Sequence, residues 1–224
     1  MPELGYGEYW QPKSLEDARR MILTGSTPEQ FERAGRFDAE LISRYLPPNP
    51  VILDFGCGVG RVVKYLPPCR RIFSVDASSE MLSLAKERLK DRNDVLFVQS
   101  NGMRFPPQLP HIDLCYSYWT FQHMDKTDAK YVMRRISRAL RLGGIVIYTF
   151  VQTGGKSNGK GAQIRSWTPE ETAATLESMG IKVLEADSAR IKRPWPFSSR
   201  YFMIIGRKTS LVRPWMPFFR GWLN

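Results

Sequence analysis

A run of glycines directly after an apolar segment restricts the fold of this chain most strongly. Residues 51–61 read VILDFGCGVGR, in which a strand-like stretch reaches Asp54 and is followed by Gly56, Gly58 and Gly60. Glycines at alternate positions let the backbone turn sharply and let a ligand approach it closely. Taken alone, the pattern also fits a dinucleotide site or a tight turn that binds nothing.

From this point onward, short apolar segments alternate with amphipathic ones. The pattern predicts strands at residues 51–55, 71–75, 95–99, 112–117, 145–150, 182–186 and 201–206, and helices at 60–66, 79–89, 129–140 and 168–179. This alternation predicts an α/β fold with a doubly wound, mostly parallel sheet that helices cover on both faces. Ligands of such sheets bind beyond the carboxyl ends of the strands.

The residues before the glycine turn are typical of two helices. Ser14 is placed to cap the first helix, and Ser26 or Thr27 is placed to cap the second, with Pro28 at its first position. We therefore expect three regions: an N-terminal helical cap over 1–46, a central domain over 47–208, and a basic, aromatic extension over 209–224.

Composition excludes several classes of protein. The 224 residues are 42% hydrophobic, which is too apolar for a disordered chain and too polar for a membrane bundle. No apolar run approaches the about 20 residues that span a bilayer, and the N-terminus lacks the pattern of a signal peptide. Three widely spaced cysteines and two histidines argue against a disulfide framework or a metal site. We expect a cytoplasmic protein.

Two features near the second strand narrow the interpretation. That strand, RIFSVD, ends in Asp76, and ASSEMLSLAKERL follows it. An acid at this position can accept hydrogen bonds from both ribose hydroxyls of an adenosine. The motifs D-x-G-x-G-x-G and V-D-x-S-x-x-M-L-x-x-A together resemble the class I S-adenosylmethionine (SAM)-dependent methyltransferases, over roughly residues 40–208. The resemblance implies a Rossmann-like sheet of seven strands with the last one reversed, and SAM as the cofactor.

The resemblance also implies roles for individual residues. Asp54 would hold the methionine amino group, and Asp76 would bind the ribose. Asn101 stands where the family often has Asp, and its carbonyl can still accept the adenine N6 hydrogen. The other cofactor contacts implied by the family are Gly56, Cys57, Gly58, Ala77, Met81, Gly102, Met103 and Ser117.

The segment after the fourth strand, SYWTFQHM, is similar to a recurring family form with an aromatic residue and a Gln-His pair. Methyl transfer to a hydroxyl needs a base, and His123 is the histidine placed to act as one. The alternative is that His123 caps the next helix or bonds within its loop. Candidate substrate-binding residues are Tyr118, Trp119 and Gln122 here, Tyr9 and Trp10 near the N-terminus, and Trp167. For the aromatic residues the alternative is packing in the core.

The sequence thus predicts a SAM-dependent methyltransferase that modifies an O or N atom of a small or lipid-like metabolite. An RNA methyltransferase is an alternative because the net charge is +11, and a non-catalytic SAM-binding module is another. Nucleic acid is the less favoured partner because the tetrapeptides N-P-P-Y and D-P-P-Y and a Pro-Cys nucleophile are missing. Residues 187–224 hold eight basic residues and one acid among many aromatics. This tail could dock on the domain or on a second subunit of a homodimer, contact a membrane surface, or bind RNA phosphates and stack on bases.

Overall fold

A computed structural model describes residues 6–100, 103, 111–152, 164–187 and 201–211. Its strands are β1 (Val51–Phe55), β2 (Arg71–Asp76), β3 (Val95–Gln99), β4 (Ile112–Ser117), β5 (Leu140–Val151), β6 (Ile181–Asp187) and β7 (Tyr201–Lys208). Its helices are α1 (Leu15–Ile22), α2 (Pro28–Ser43), α3 (Ser79–Arg88), α4 (Lys126–Ala139) and α5 (Pro169–Glu177).

The seven strands form one sheet in the order β3-β2-β1-β4-β5-β7-β6. Strands β3, β2, β1, β4 and β5 pair in parallel, whereas β7 runs antiparallel to both β5 and β6. The predicted α/β fold with a reversed last strand is therefore confirmed. The strand order reverses direction at β1, and ligands of such sheets bind beside that point.

Alternate residues of each central strand enter different cores, as the two-residue repeat of a strand requires. On one face Leu53 and Cys115 pack with apolar residues of α4 and α5. On the other face Ile52 and Leu114 pack with residues of α2. Helices therefore cover both faces, and this explains why apolar residues of the central strands point to both sides of the sheet.

The helix predicted at residues 60–66 is wrong. Only a short 3-10 turn forms there, at Val63–Tyr65. Gly60 adopts a left-handed φ of +70°, so a regular helix cannot begin until the next residue. Two prolines, Pro67 and Pro68, follow the turn and bring no N–H donors to extend it.

The two N-terminal helices begin at the predicted caps. The Ser14 hydroxyl accepts a hydrogen bond from the Asp17 backbone N–H at 3.1 Å. Thr27, rather than Ser26, caps α2, and with Gln30 it forms a reciprocal capping box. A third apolar cluster joins both helices to Val59 of the glycine turn and to Met81 of α3.

The limits of the three predicted regions stay a prediction, and most of the C-terminal extension lies outside the described residues. Within the described part of the chain, every helix is too short or too polar to cross a membrane.

Candidate functional site

A cavity of about 550 Å³ opens beyond the carboxyl ends of β1, β2 and β4. The glycine turn and the end of β2 form its floor, and the N-terminal residues and α1 border it from another side. Predicted site residues that border it are Asp54, Gly56, Cys57, Gly58, Asp76, Ala77, Met81, Tyr118, Trp119, Gln122, His123, Tyr9 and Trp10.

The three glycines of the turn adopt conformations that other residues rarely take. Gly56, Gly58 and Gly60 have φ values of +78°, +53° and +70°. A Cβ atom on Gly56 would also overlap the side chain of Thr120. The N–H groups of Gly56 and Cys57 donate to the Val75 carbonyl at 2.7 and 3.0 Å, which ties the turn to β2.

The Asp76 carboxylate is built into this turn. One oxygen accepts the Gly58 N–H at 2.8 Å, and the other accepts the Ser78 N–H at 2.9 Å. Burial raises the pKa of Asp76 above its usual value, and these two N–H groups limit the rise. Because each carboxylate oxygen has two lone pairs, both oxygens can accept a further hydrogen bond from a ligand in the cavity.

Asp54, at the end of β1, is almost fully buried beside the cavity. Burial, together with the negative charge of Asp76, raises the pKa of Asp54 to about 8. Two groups oppose this increase in pKa, the Tyr116 hydroxyl and the Arg61 guanidinium. The Tyr116 hydroxyl lies near Asp54 but does not form a well-aligned hydrogen bond. Asp54 is therefore mostly a neutral carboxylic acid at pH 7.

His123 ends a 3-10 turn over Phe121–His123, and its imidazole lies between two other cavity residues. The Gln122 amide nitrogen is 3.2 Å from His123 Nε2, and the Trp10 ring meets the imidazole edge-on at 5.1 Å between centroids. Which of the two ring nitrogens carries the proton depends on the orientation of the Gln122 amide.

Aromatic side chains form the wall that follows β4. The Tyr118 and Trp119 rings are 6.2 Å apart, and Trp119 meets Tyr201 of β7 at 6.4 Å. Trp119 has a left-handed φ of +59°, which is a rare conformation for a bulky residue. The backbone N–H of Trp119 donates to the Thr149 hydroxyl at 2.9 Å, and this hydrogen bond holds the backbone in place.

The N-terminal segment 6–10, which we call the strap, crosses the edge of the cavity. Tyr6 donates its hydroxyl proton to Asp128 of α4, and burial with that bond raises the pKa of Tyr6 to about 12. At the other end, the Ser78 hydroxyl donates to the Trp10 carbonyl. Gly7 packs directly on the Ala77 carbonyl, where a Cβ atom would not fit. The strap is thus attached to both α4 and the end of β2.

Several predicted site residues lie elsewhere. Ser117 is fully buried, and its hydroxyl donates to the Phe55 carbonyl at 2.8 Å. Met103 packs on the core, and Trp167 is fully buried with its ring 5.0 Å from that of Phe150. These three residues do not border the cavity, because local packing turns their side chains into the interior. Asn101 and Gly102 lie outside the described residues.

Other residues border the cavity without having been predicted to do so. The structure adds Tyr6, Met21, Ile22, Leu23, Thr24, Arg61, Ser100, Tyr116 and Tyr201, among others. Arg61 stands directly after the last glycine of the motif, so its position in the sequence could have suggested it. The residues of α1 have no such signal, because their distance from the turn depends on how the helices pack.

Comparisons with known proteins find methyltransferases among the similar sequences. A family model described as a methyltransferase domain matches residues 52–144. An uncharacterized methyltransferase of Geobacillus sp. (strain WCH70) is 27% identical over 146 residues, 65% of each chain. A malonyl-[acyl-carrier protein] O-methyltransferase of Marinomonas sp. (strain MWYL1) is 27% identical over 61% of this chain and 52% of its own. The match thus spans less than two thirds of these curated relatives.

Solved structures share the fold at low sequence identity. A SAM-dependent methyltransferase from Clostridium acetobutylicum ATCC 824 superposes with a TM-score of 0.67 and 14% identity, over 86% of this chain and 96% of its own. The 1,6-didemethyltoxoflavin-N1-methyltransferase of Burkholderia thailandensis, solved with 1,6-didemethyltoxoflavin and S-adenosylhomocysteine, superposes with a TM-score of 0.64 and 21% identity, over 80% of each chain.

Proposed function

Because the chain belongs to the class I SAM-dependent methyltransferases, we propose that it transfers a methyl group from SAM to an O or N atom of a small or lipid-like acceptor. The observation that carries this proposal is that one continuous cavity is bordered by the glycine turn and Asp76 as well as by aromatic side chains and an imidazole. One end suits a nucleoside, and the other suits an acceptor.

The chemistry of the cavity fits SAM as the cofactor. Two acidic side chains, Asp54 and Asp76, face a ligand that carries an ammonium group and two ribose hydroxyls. Asp76 would accept from the ribose hydroxyls, and Asp54 would receive the ammonium group. Ala77 and Met81 border the cavity next to Asp76 and would lie beside the adenine. When bound, SAM supplies a methyl group activated by a positively charged sulfur.

The residues of this chain then have to align the acceptor and handle a proton. Transfer of this kind is an in-line displacement, so much of the rate comes from holding two groups in the correct geometry. Trp10, Tyr118 and Trp119 would hold an apolar acceptor by its faces and edges. His123 would take the proton from an acceptor hydroxyl or ammonium group, because histidine side chains in general exchange protons near neutral pH.

The dimensions of the site favour a small acceptor. The strap and α1 border the cavity, and the donor and the acceptor would share about 550 Å³. The N1-methyltransferase of B. thailandensis, which was solved with a small heterocycle bound, supports this type of acceptor. We further propose a cytoplasmic enzyme whose basic C-terminal extension contacts a membrane surface or a second subunit.

Two measurements test the function. Calorimetry with SAM and with S-adenosylhomocysteine measures binding, and we expect micromolar affinity for both. Incubation with SAM and fractionated metabolite extracts should release S-adenosylhomocysteine only with a matching acceptor, and mass spectrometry would identify the product. A protein that binds neither nucleoside would refute the proposal. Methyl transfer that occurs only with an RNA fraction would instead support an RNA methyltransferase.

A further inference from the structure

The edge of the sheet opposite the cavity carries a group of exposed cations. Strands β1, β2, β4, β5 and β6 begin at this edge, and the antiparallel β7 ends there. Within the described ranges, the basic residues at this edge form no ion pair with an acid. We call it the basal edge and define it by six exposed basic residues: Arg44, Arg70, Arg71, Arg138, Lys182 and Arg207.

The topology of the sheet brings these residues together although they are far apart in the sequence. Arg71 is the first residue of β2, and Arg138 lies in the last turn of α4, which leads into β5. Arg207 of β7 is paired with Lys182 of β6 on one side and with β5 on the other. Five strand spacings separate β2 from β6, so the cations extend over roughly 24 Å.

Several acids near the basal edge already have partners. Asp113 accepts the Val51 N–H at 2.8 Å and pairs with Arg141, and Asp94 pairs with Arg92 at 2.7 Å. The remaining exposed acids close to this edge are fewer than the six cations: Asp91, Glu177 and Glu185. The basal edge therefore has a positive charge that the described part of the domain leaves uncompensated.

Two leucines project beside these cations. Leu142, near the start of β5, is 54% exposed, and Leu211, which follows β7, is 75% exposed. The backbone N–H groups of Thr209 and Ser210 donate to the Gly180 carbonyl, directly before β6, at 2.9 and 3.3 Å. The chain beyond Leu211 therefore starts from the basal edge.

We infer that the basal edge is a docking surface for an anionic lipid membrane. Cations spread over a wide area suit a surface of many negative charges better than one small anion, and each adds attraction to an anionic bilayer. The two leucines can enter the boundary between headgroups and acyl chains, whereas aliphatic side chains offer no ring on which a nucleic-acid base stacks. Residues 212–224 continue from this edge, and their sequence has two arginines, four aromatic residues and no acid.

Docking through the basal edge leaves the cavity accessible. The cavity lies beyond the carboxyl ends of the parallel strands, whereas the basal edge lies at their amino ends, roughly 15 Å away along strands of this length. A membrane-bound protein therefore takes up SAM and its acceptor from the water. The inference goes beyond the proposed function and does not depend on it.

Co-sedimentation of the full chain with lipid vesicles tests this surface. Vesicles of phosphatidylcholine alone are compared with vesicles in which one third of the lipid is phosphatidylserine, at physiological salt. The variant Arg71→Gln/Arg138→Gln/Arg207→Gln removes three charges from the basal edge. Its affinity for the phosphatidylserine vesicles should fall roughly 100-fold, about fivefold for each charge.

The matched control, Lys13→Gln/Arg20→Gln/Arg36→Gln, removes the same charge from exposed positions before α1, in α1 and in the middle of α2. Because these positions lie away from the basal edge, the control should lose less than about threefold. A second pair of variants tests the apolar contact. Leu142→Ser should weaken vesicle binding by about fivefold or more, and Leu15→Ser, at a residue that is 41% exposed in α1, should not.

The wild type should bind the phosphatidylserine vesicles and not those of phosphatidylcholine alone. Equal losses in the two triple variants, or a wild type that binds neither vesicle, would overturn the inference. A wild type that binds RNA or a second copy of itself through these residues, and no vesicle, would also overturn it.

Calorimetry with SAM separates this inference from the proposed function. Every variant should bind SAM as the wild type does, and vesicle-bound wild type should bind it equally well, because the cavity is at the other end of the strands. Loss of SAM affinity on the vesicles would contradict docking through the basal edge. A wild type that binds vesicles but no SAM would support the docking surface and refute the proposed function.

Discussion

The neutral state of Asp54 leads to a quantitative prediction about ligand binding. With a pKa of about 8, Asp54 carries a proton in about 90% of molecules at pH 7. A ligand that places an ammonium group beside Asp54 favours the charged carboxylate and lowers its pKa. If the pKa falls below about 6 in the complex, binding of S-adenosylhomocysteine at pH 7 releases close to one proton, about 0.8 to 0.9.

Calorimetry in buffers with different ionisation enthalpies measures this release directly. The apparent binding enthalpy should vary linearly with the buffer enthalpy, and the slope is the number of protons released. Because the free protein holds the proton below about pH 8, affinity should rise by up to tenfold per pH unit as the pH increases toward 8. Above that pH the contribution of Asp54 should level off.

Two comparisons assign the proton to Asp54. Asp54→Asn has no acidic group at this position and should release almost no proton on binding. Adenosine lacks the methionine part, so its binding to the wild type should also release almost none. The reasoning is refuted if the wild type releases no proton, or if Asp54→Asn releases as many as the wild type.

Three further predictions concern the rest of the site. Asp76→Ala removes two hydrogen bonds of the turn and the proposed acceptor of the ribose hydroxyls, so SAM binding should weaken by about 1–3 kcal/mol in calorimetry. An unchanged affinity would show that Asp76 does not bind the sugar. His123→Ala should lower kcat by about 100- to 10,000-fold with a hydroxyl acceptor and leave SAM affinity unchanged, whereas an unaltered kcat would exclude His123 as the base. Gly56→Ala places a Cβ against the Thr120 side chain at a backbone φ of +78°, so it should abolish SAM binding and lower the midpoint of thermal unfolding. The control Gly25→Ala also has a positive φ, but its Cβ meets no other atom, so it should not affect SAM binding.

Local patterns were enough to predict the framework of the site. The Gly-x-Gly-x-Gly run predicted a sharp turn, because only glycine readily adopts the left-handed conformation that all three positions have. The apolar runs predicted the strands, and Ser14 was correctly identified as a helix cap. The helix after the turn was mispredicted, because the left-handed Gly60 and the prolines after Leu66 left too few residues for a regular helix.

Side-chain direction was harder to predict. Ser117 and Trp167 stand at positions in the chain that suited the site, yet both are buried away from the cavity. Residues of α1 and the strap border the cavity instead. Their position depends on contacts between distant parts of the chain, such as the hydrogen bond from Tyr6 to Asp128. No local pattern encodes such contacts, because they form only when the helices pack on the sheet.

The sequence by itself determined where the sharp turn after β1 and the carboxylate at the end of β2 lie, since glycine positions and strand polarity act over a few neighbouring residues. Only the tertiary structure decided the protonation of Asp54 and the environment of Arg61. A pKa and the pairing of a buried charge depend on how much water the surrounding chain excludes and on which charges it brings near. Those surroundings come from residues far apart in sequence. Asp38 and Trp119 lie next to Arg61, and Asp76 lies near Asp54.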